Sequence, residues 1–278
     1  MRNTFFIQKK LAEKGMLIAA HQGVFGGNIC TNTISSGKNA LLHGADIIEA
    51  DVTRDSDGVM YMFHDAHEMF NFGSEKHIPE MTTEEVKSLR CFNSNGDRRN
   101  VCPDRLEDYL AYFSGCDCII NLDRCWDIWE DVNRLVAKYD MFDRIIFKSP
   151  PSTEYYDFVK QSDYPMIYMP IVSSAAEAEE ALQYGVNPAG FEILYKSESS
   201  ELVSDEFIKV CHTQGLLLWS NSITLNDVDV LSAGYDDNAY IENGKDIWKW
   251  HFGKGFDIVQ TDWPALWCGF RNRYKQEN

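Results

Sequence analysis

Local chain geometry gathers two acids and a histidine in residues 44–65, GADIIEADVTRDSDGVMYMFHD. Glu49 and Asp51 stand two apart in a short apolar strand predicted over 47–52, so both project from the same face. A second extended run, 59–63, follows the turn signal Asp57-Gly58 and ends in His64-Asp65. Carboxylates on an otherwise hydrophobic strand need a cationic partner, because burying an unpaired charge is costly. A divalent metal would answer that need. Pairing with lysine or arginine at a barrel rim would answer it too, and this stretch alone favours neither.

The elements that must position these groups alternate along the chain. Apolar strands are predicted at 16–20, 47–52, 118–123, 144–148, 166–170, 190–194, 216–221 and 256–261, and helices at 33–43, 106–113, 126–139, 154–161, 175–184, 205–213 and from Pro264 onward. Eight strands separated by helices predict an α/β fold, a (β/α)8 TIM barrel, whose active site lies at the C-terminal strand ends. His21, Glu49 with Asp51, Asp123, Lys148, Glu192, Trp219 with Asn221, and Thr261 with Asp262 all fall at or near such ends. The loop GVFGGNICTN before the first barrel helix is rich in glycine and offers backbone amides to an anion. Residues 66–104 are too long for a simple connection and form an expected insertion, with a capped helix in TTEEVKSL; His67 and His77 read as surface residues within it. Residues 224–250 read as a long polar loop before a helix around 246–252.

With 278 residues the chain suits one domain, 1–278, of barrel size. The net charge of −17 argues against nucleic acid and against stable association with anionic membranes, since both require a cationic surface. An anionic small-molecule substrate would have to be drawn in locally. The eight cysteines lack a metal motif, Cys116-x-Cys118 having the wrong spacing for a zinc knuckle, and read as free core thiols. The N-terminus lacks a signal-peptide core and no apolar run is long enough to span a membrane, which predicts a cytoplasmic protein. No periodic interface stripe indicates an oligomeric state.

An ordered set of short blocks resembles the glycerophosphodiester phosphodiesterase family. The blocks are HQG (21–23), NT (32–33), GADIIEADV (44–52), HD (64–65), MTTEEVKSL (81–89), NLD (121–123), WSN (219–221) and VQTDWP (259–264). Together they span almost the whole chain. The resemblance implies that Glu49, Asp51 and Asp123 hold one divalent cation, Mg²⁺ or Ca²⁺, a hard ion suited to oxygen ligands. It implies that His21 and His64 are general acid and base. The substrate's glycerol hydroxyl would attack the phosphorus, and water would open the resulting cyclic phosphate.

Departures from the family pattern concern charge. Gln22 stands where the family has the arginine that grips phosphate, Cys125 where it has a lysine, Thr31 where it has a glutamate, and Asp123 where most members have a longer glutamate. Lys148 is the expected replacement cation, while Arg124 should face the helix layer by strand alternation. Gln22, Lys148, Glu192, Trp219 and Asn221 form the expected substrate-binding set: Glu192 meets a substrate hydroxyl or Lys148, and Trp219 packs a headgroup or caps the barrel interior. The implied activity is metal-dependent hydrolysis of glycerophosphodiesters to sn-glycerol 3-phosphate and an alcohol. The alternatives are a phospholipase-D-like enzyme acting on a lysolipid or another phosphodiester, which an apolar rim on the insertion would favour, and a non-catalytic barrel that binds a phosphorylated ligand.

Overall fold

The computed structural model describes residues 3–223, 225–226, 228–235 and 247–277. Eight strands run parallel and close on themselves: β1 (Leu17–Ala20), β2 (Ile47–Arg54), β4 (Ile119–Asp123), β5 (Ile145–Ser149), β6 (Ile167–Val172), β7 (Gly190–Ile193), β8 (Leu217–Ser222) and β9 (Ile258–Thr261). Closure comes from β1, which pairs with both β9 and β2. A short strand, β3 (Met60–Met62), lies outside the barrel. It pairs antiparallel with the far end of β2, setting Val52 opposite Met62, so the second extended run of the sequence is a ribbon that carries His64 back toward the barrel mouth.

Alternation along the strands builds two cores. Leu17, Ala19, Ile47, Ile119, Ile146, Ile167, Leu217 and Ile258 fill the barrel interior, while Ile18, Ile48, Ile120, Phe147, Phe191, Leu218 and Val259 meet the outer helices. The inward positions change character toward the C-terminal ends, where Glu49, Asp51, Asn121, Lys148, Glu192 and Asn221 are all buried. Register puts Glu49 opposite Asn121 and Asp51 opposite Asp123 on the neighbouring strand. The metal-ligand candidates of two strands are therefore brought side by side by hydrogen-bonded pairing alone.

The N-terminal end of the barrel is sealed. Ile7 of α1 (Phe5–Lys14) is fully buried with the interior cluster. Asp46, in the GAD block, accepts the Ile18 amide at 3.0 Å and pairs with Arg271 of the last helix, Pro264–Glu277. That aspartate fastens the chain end to the barrel and takes no part at the mouth. The remaining barrel helices are α2 (Ile34–Leu42), α5 (Leu106–Phe113), α6 (Trp129–Lys138), α7 (Thr153–Gln161), α8 (Ala175–Tyr184) and α9 (Asp205–Thr213). The helix predicted at 126–139 opens with a 3-10 turn at Trp126–Ile128. Between β3 and α5 the chain forms α3 (Glu68–Phe72) and α4 (Thr83–Ser88) over a separate small core that includes Tyr61, Phe63, Phe72, Ile78 and Met81. Much of the predicted loop 224–250 lies outside the described residues; 247–254 is helical (α10). All eight cysteines are free thiols, and six of them are buried.

His251 in α10 is fully buried among the rings of Trp250, Phe256 and Trp267, with Nδ1 donating to the Ile247 carbonyl at 2.9 Å. Its Nε2 has no hydrogen-bond partner among the described residues. Burial lowers its pKa from the usual 6.5 to about 4. The unfolded chain therefore takes up a proton on this group before the native state does, and stability falls as pH drops from 6.5 toward 4. This contribution is on the order of 3 kcal/mol. Urea melts at pH 7 and pH 4 should show His251→Phe losing less stability over that interval than the wild type; an equal loss would remove His251 from the acid response.

Candidate active site

Three carboxylates meet at the barrel mouth. Single oxygens of Glu49, Asp51 and Asp123 lie within 4.8 Å of one another, and Glu49 and Asp51 are buried. Uncharged donors hold them. The Gln22 backbone N–H donates to Glu49 Oε2 at 2.8 Å, and the Gln22 side-chain amide donates to Asp51 Oδ2 at 2.9 Å. Asn32 Nδ2 donates to the same Asp51 oxygen at 2.9 Å, and its Oδ1 accepts the Asp51 backbone N–H. The Arg124 N–H donates to Asp123 Oδ1 at 2.8 Å.

Gln22, Asn32 and Arg124 all have left-handed backbone, with φ of 54°, 52° and 55°. Such turns in non-glycine residues cost about 1–3 kcal/mol and persist where the surroundings enforce them. Here each one aims a donor at a metal-ligand candidate.

Among the described residues none of the three carboxylates joins an ion pair. Burial and the neighbouring Asp51 push the Glu49 pKa up to about 8. Burial likewise raises Asp123, with Lys148 opposing and Glu192 and Asp51 reinforcing the shift. Like charges this close, provided only with amide donors, fit a hard divalent cation on oxygen ligands. Among the described residues no lysine or arginine forms an ion pair with Glu49 or Asp51, the other reading of these acids.

Two imidazoles stand at the ends of β1 and β3. His21 is anchored by its backbone N–H on the Thr261 carbonyl at 3.1 Å and by Nδ1 donating to Asp262 Oδ1 at 2.8 Å. Burial pulls the His21 pKa down, but the Asp262 bond and the charges of Glu49, Asp262 and Asp51 carry it up to about 9. His64 donates Nδ1–H to the Asp65 carbonyl at 2.7 Å, which orients the ring. His67 is exposed, as expected, yet it stacks on His64 with centroids 4.0 Å apart. Its pKa is lowered by burial, by His64 and by the Arg124 guanidinium.

The proposed substrate-binding side chains bond mainly to one another. Lys148 points inward, fully buried, with Nζ 2.5 Å from Glu192 Oε2 and 3.8 Å from the centre of the Trp219 ring. Asn221 Nδ2 donates to the other Glu192 oxygen at 2.6 Å. Trp219 is fully buried in the interior cluster and caps it. Glu192 thus takes Lys148 as its partner, and the Gln22 amide is committed to Asp51.

Strand alternation ends at Asp123. The left-handed turn at Arg124 interrupts the alternation and sends Cys125 into the helix-side core, fully buried, while Arg124 stays exposed beside the Trp126 ring, 5.8 Å from its centre. Asn32 and Asp262 sit in quoted motif blocks but had no assigned role; only their contacts reveal one. His77 and Asp65 form a further polar cluster with Glu68, whose oxygens are taken by His77 Nδ1 at 3.0 Å and the Ile78 N–H at 2.9 Å, so it fastens the insertion.

The fold is that of solved glycerophosphodiester phosphodiesterases. A glycerophosphoryl diester phosphodiesterase from Parabacteroides distasonis superposes with TM-score 0.75 at 18% identity, covering 94% of this chain and 87% of its own. The Thermotoga maritima glycerophosphodiester phosphodiesterase gives 0.67 at 20% identity, over 92% and 98%. A phosphodiesterase from Oleispira antarctica, solved with its product sn-glycerol 3-phosphate, gives 0.64 at 17%, over 92% and 96%. A family model described as a domain of unknown function matches residues 168–270. No curated protein sequence matches the chain. Among the described residues no helix is long and apolar enough to cross a membrane.

Two outcomes test this geometry. Mg²⁺ or Ca²⁺ at a hundred times its Kd should stabilise the wild type by about 2.7 kcal/mol in thermal melts, and Asp51→Asn should abolish that shift; a shift that survives would move the ion elsewhere. Lys148→Met should cost about 3–5 kcal/mol in urea unfolding, because it leaves Glu192 buried without its cation, and the double change Lys148→Met with Glu192→Gln should recover part of the loss.

Proposed function

We propose that this chain is a metal-dependent glycerophosphodiester phosphodiesterase that releases sn-glycerol 3-phosphate and an alcohol. One observation carries the reading: three converging carboxylates without ion pairs share the barrel mouth with two imidazoles whose Nδ1 atoms are tied down, at His21 and His64. The shared fold, and the product bound to the Oleispira antarctica enzyme, support the substrate class. Glu49, Asp51 and Asp123 would hold the ion, Mg²⁺ or Ca²⁺, which when bound supplies charge neutralisation for the phosphodiester.

The protein's own groups account for the proton transfers. Asp262 fixes the tautomer of His21 and favours its protonated form, and the Asp65 carbonyl does the same orienting work on His64, so each ring presents Nε2. One imidazole removes the proton of the attacking hydroxyl and the other supplies one to the departing alcohol. Gln22 and Asn32 hold Asp51 in place. With Lys148 bound to Glu192, Arg124, exposed and next to Asp123 in the chain, would supply a cation to the phosphate oxygens, a role the missing arginine and lysine would otherwise fill.

The direct test is release of glycerol 3-phosphate from glycerophosphocholine and glycerophosphoethanolamine, with Mg²⁺, with Ca²⁺ and with chelator. Turnover should require metal and fall roughly 10²–10⁴-fold in His21→Ala. Arg124→Ala should raise KM roughly tenfold to hundredfold, the worth of a hydrogen bond to a charged group. Activity in chelator would sink the metal mechanism. A metal-binding protein that turns over neither substrate would sink the assignment.

A further inference from the structure

Beside the mouth, the loop after β1 and the insertion enclose a cavity of about 430 Å³ walled by Phe25, Ile29, Phe70 and Phe92. Its remaining lining is uncharged: Cys30, Thr31, Asn71, Asn93, Ser94 and Gly96. That is unusual in a chain with 26 basic and 43 acidic residues. Phe70 is 83% exposed and Phe25 49%, so both rings pay the cost of facing water.

The cavity is preformed. Hydrogen bonds tie its two walls together, from the Ser94 N–H to the Gly27 carbonyl at 3.0 Å and from Asn93 Nδ2 to Asn28 Oδ1 at 3.1 Å, while the Phe92 N–H reaches the Asn71 carbonyl at 2.8 Å.

The same two segments build the candidate active site. Cys30-Thr31 leads directly into Asn32, which holds Asp51, and Phe70 lies one helical turn after His67, which stacks on His64. Chain connectivity thus links an apolar, uncharged chamber of a size usual for small-molecule sites to the residues that hold Asp51 and stack on His64.

Resting on the phosphodiesterase reading, we propose that this cavity takes an aliphatic arm of the substrate, making a phosphodiester with an apolar chain the preferred class over one with two small polar alcohols. Among its described lining no side chain can form an ion pair, whereas an aliphatic chain would meet Phe25, Ile29, Phe70 and Phe92. The net charge of −17 makes an arm on a single substrate molecule a better occupant than an anionic membrane surface. The arm can be attached on either side of the phosphate, as an alkyl leaving alcohol or as an acyl chain on the glycerol.

Two homologous series separate these sources: sn-glycero-3-phospho-n-alkyl esters from methyl to octyl, and 1-acyl lysophosphatidylcholines of matching lengths, both below their micelle-forming concentrations. In one series kcat/KM should rise roughly threefold to fourfold for each added methylene until the cavity is full. Phe25→Ser with Phe70→Ser, both exposed positions outside the catalytic set, should flatten that rise and leave glycerophosphocholine turnover unchanged. A flat profile in both series with glycerophosphocholine still hydrolysed overturns the cavity's role and spares the activity, and a rise that survives in the double variant overturns it as well. If nothing is hydrolysed, the activity assignment fails, and calorimetric binding of the two series decides the cavity separately. Chain-length-dependent affinity lost in the double variant supports it, and affinity independent of length overturns it.

Discussion

Repulsion among Glu49, Asp51 and Asp123 is the constraint to which the rest of the mouth answers. Parallel pairing of β2 with β4 fixes two of these acids opposite each other, and the two-residue period brings the third onto the same face. Three like charges in a poorly solvated place are unstable without a cation, as the upward shift of Glu49 shows. The surrounding chain supplies amides in left-handed turns that orient the oxygens while leaving their charge unneutralised. A site arranged in this way is preorganised for a divalent ion and stores the cost of that preorganisation in Gln22, Asn32 and Arg124.

Cations are distributed with the same economy. Lys148 is paired with Glu192, which Asn221 also holds, and Trp219 closes the barrel interior against its ammonium. Its field still reaches Asp123 and Glu49 and opposes their upward shifts. A lysine so placed conditions the electrostatics of the carboxylates, whereas Arg124 remains exposed beside Trp126. With Gln22 committed to Asp51, position 22 carries no cation, and the exposed Arg124 stands one residue after Asp123.

The insertion joins a small core of its own to the segment beside His64. Its small core is pinned by Glu68 on His77 and Ile78, which fixes the start of the segment after His64. The same segment presents Phe70 to the cavity shared with the loop after β1. The support of His64 and a wall of that cavity thus come from one structural unit with a core separate from the barrel's.

Much of this was legible in residue order. Strand and helix alternation determined the barrel, because apolar period and turn signals are local, and the GAD, HD and NLD blocks marked Glu49, Asp51, His64 and Asp123. Asn32 and Asp262 were visible as letters in quoted blocks, but nothing local says that an amide will reach Asp51 or that a carboxylate from the last strand will meet His21, 241 residues earlier. The burial of Cys125 in the helix-side core was not legible, because a period-two rule assumes an extended chain, and one residue at φ 55°, Arg124, resets it. Lys148 was read correctly as inward, yet its partner was decided by which strands became neighbours and how deep each side chain lay. Sequence determined which groups line the inner face of each strand; only closure of the barrel determined which of those groups touch, since pairing across distant strands depends on register, depth and backbone handedness together.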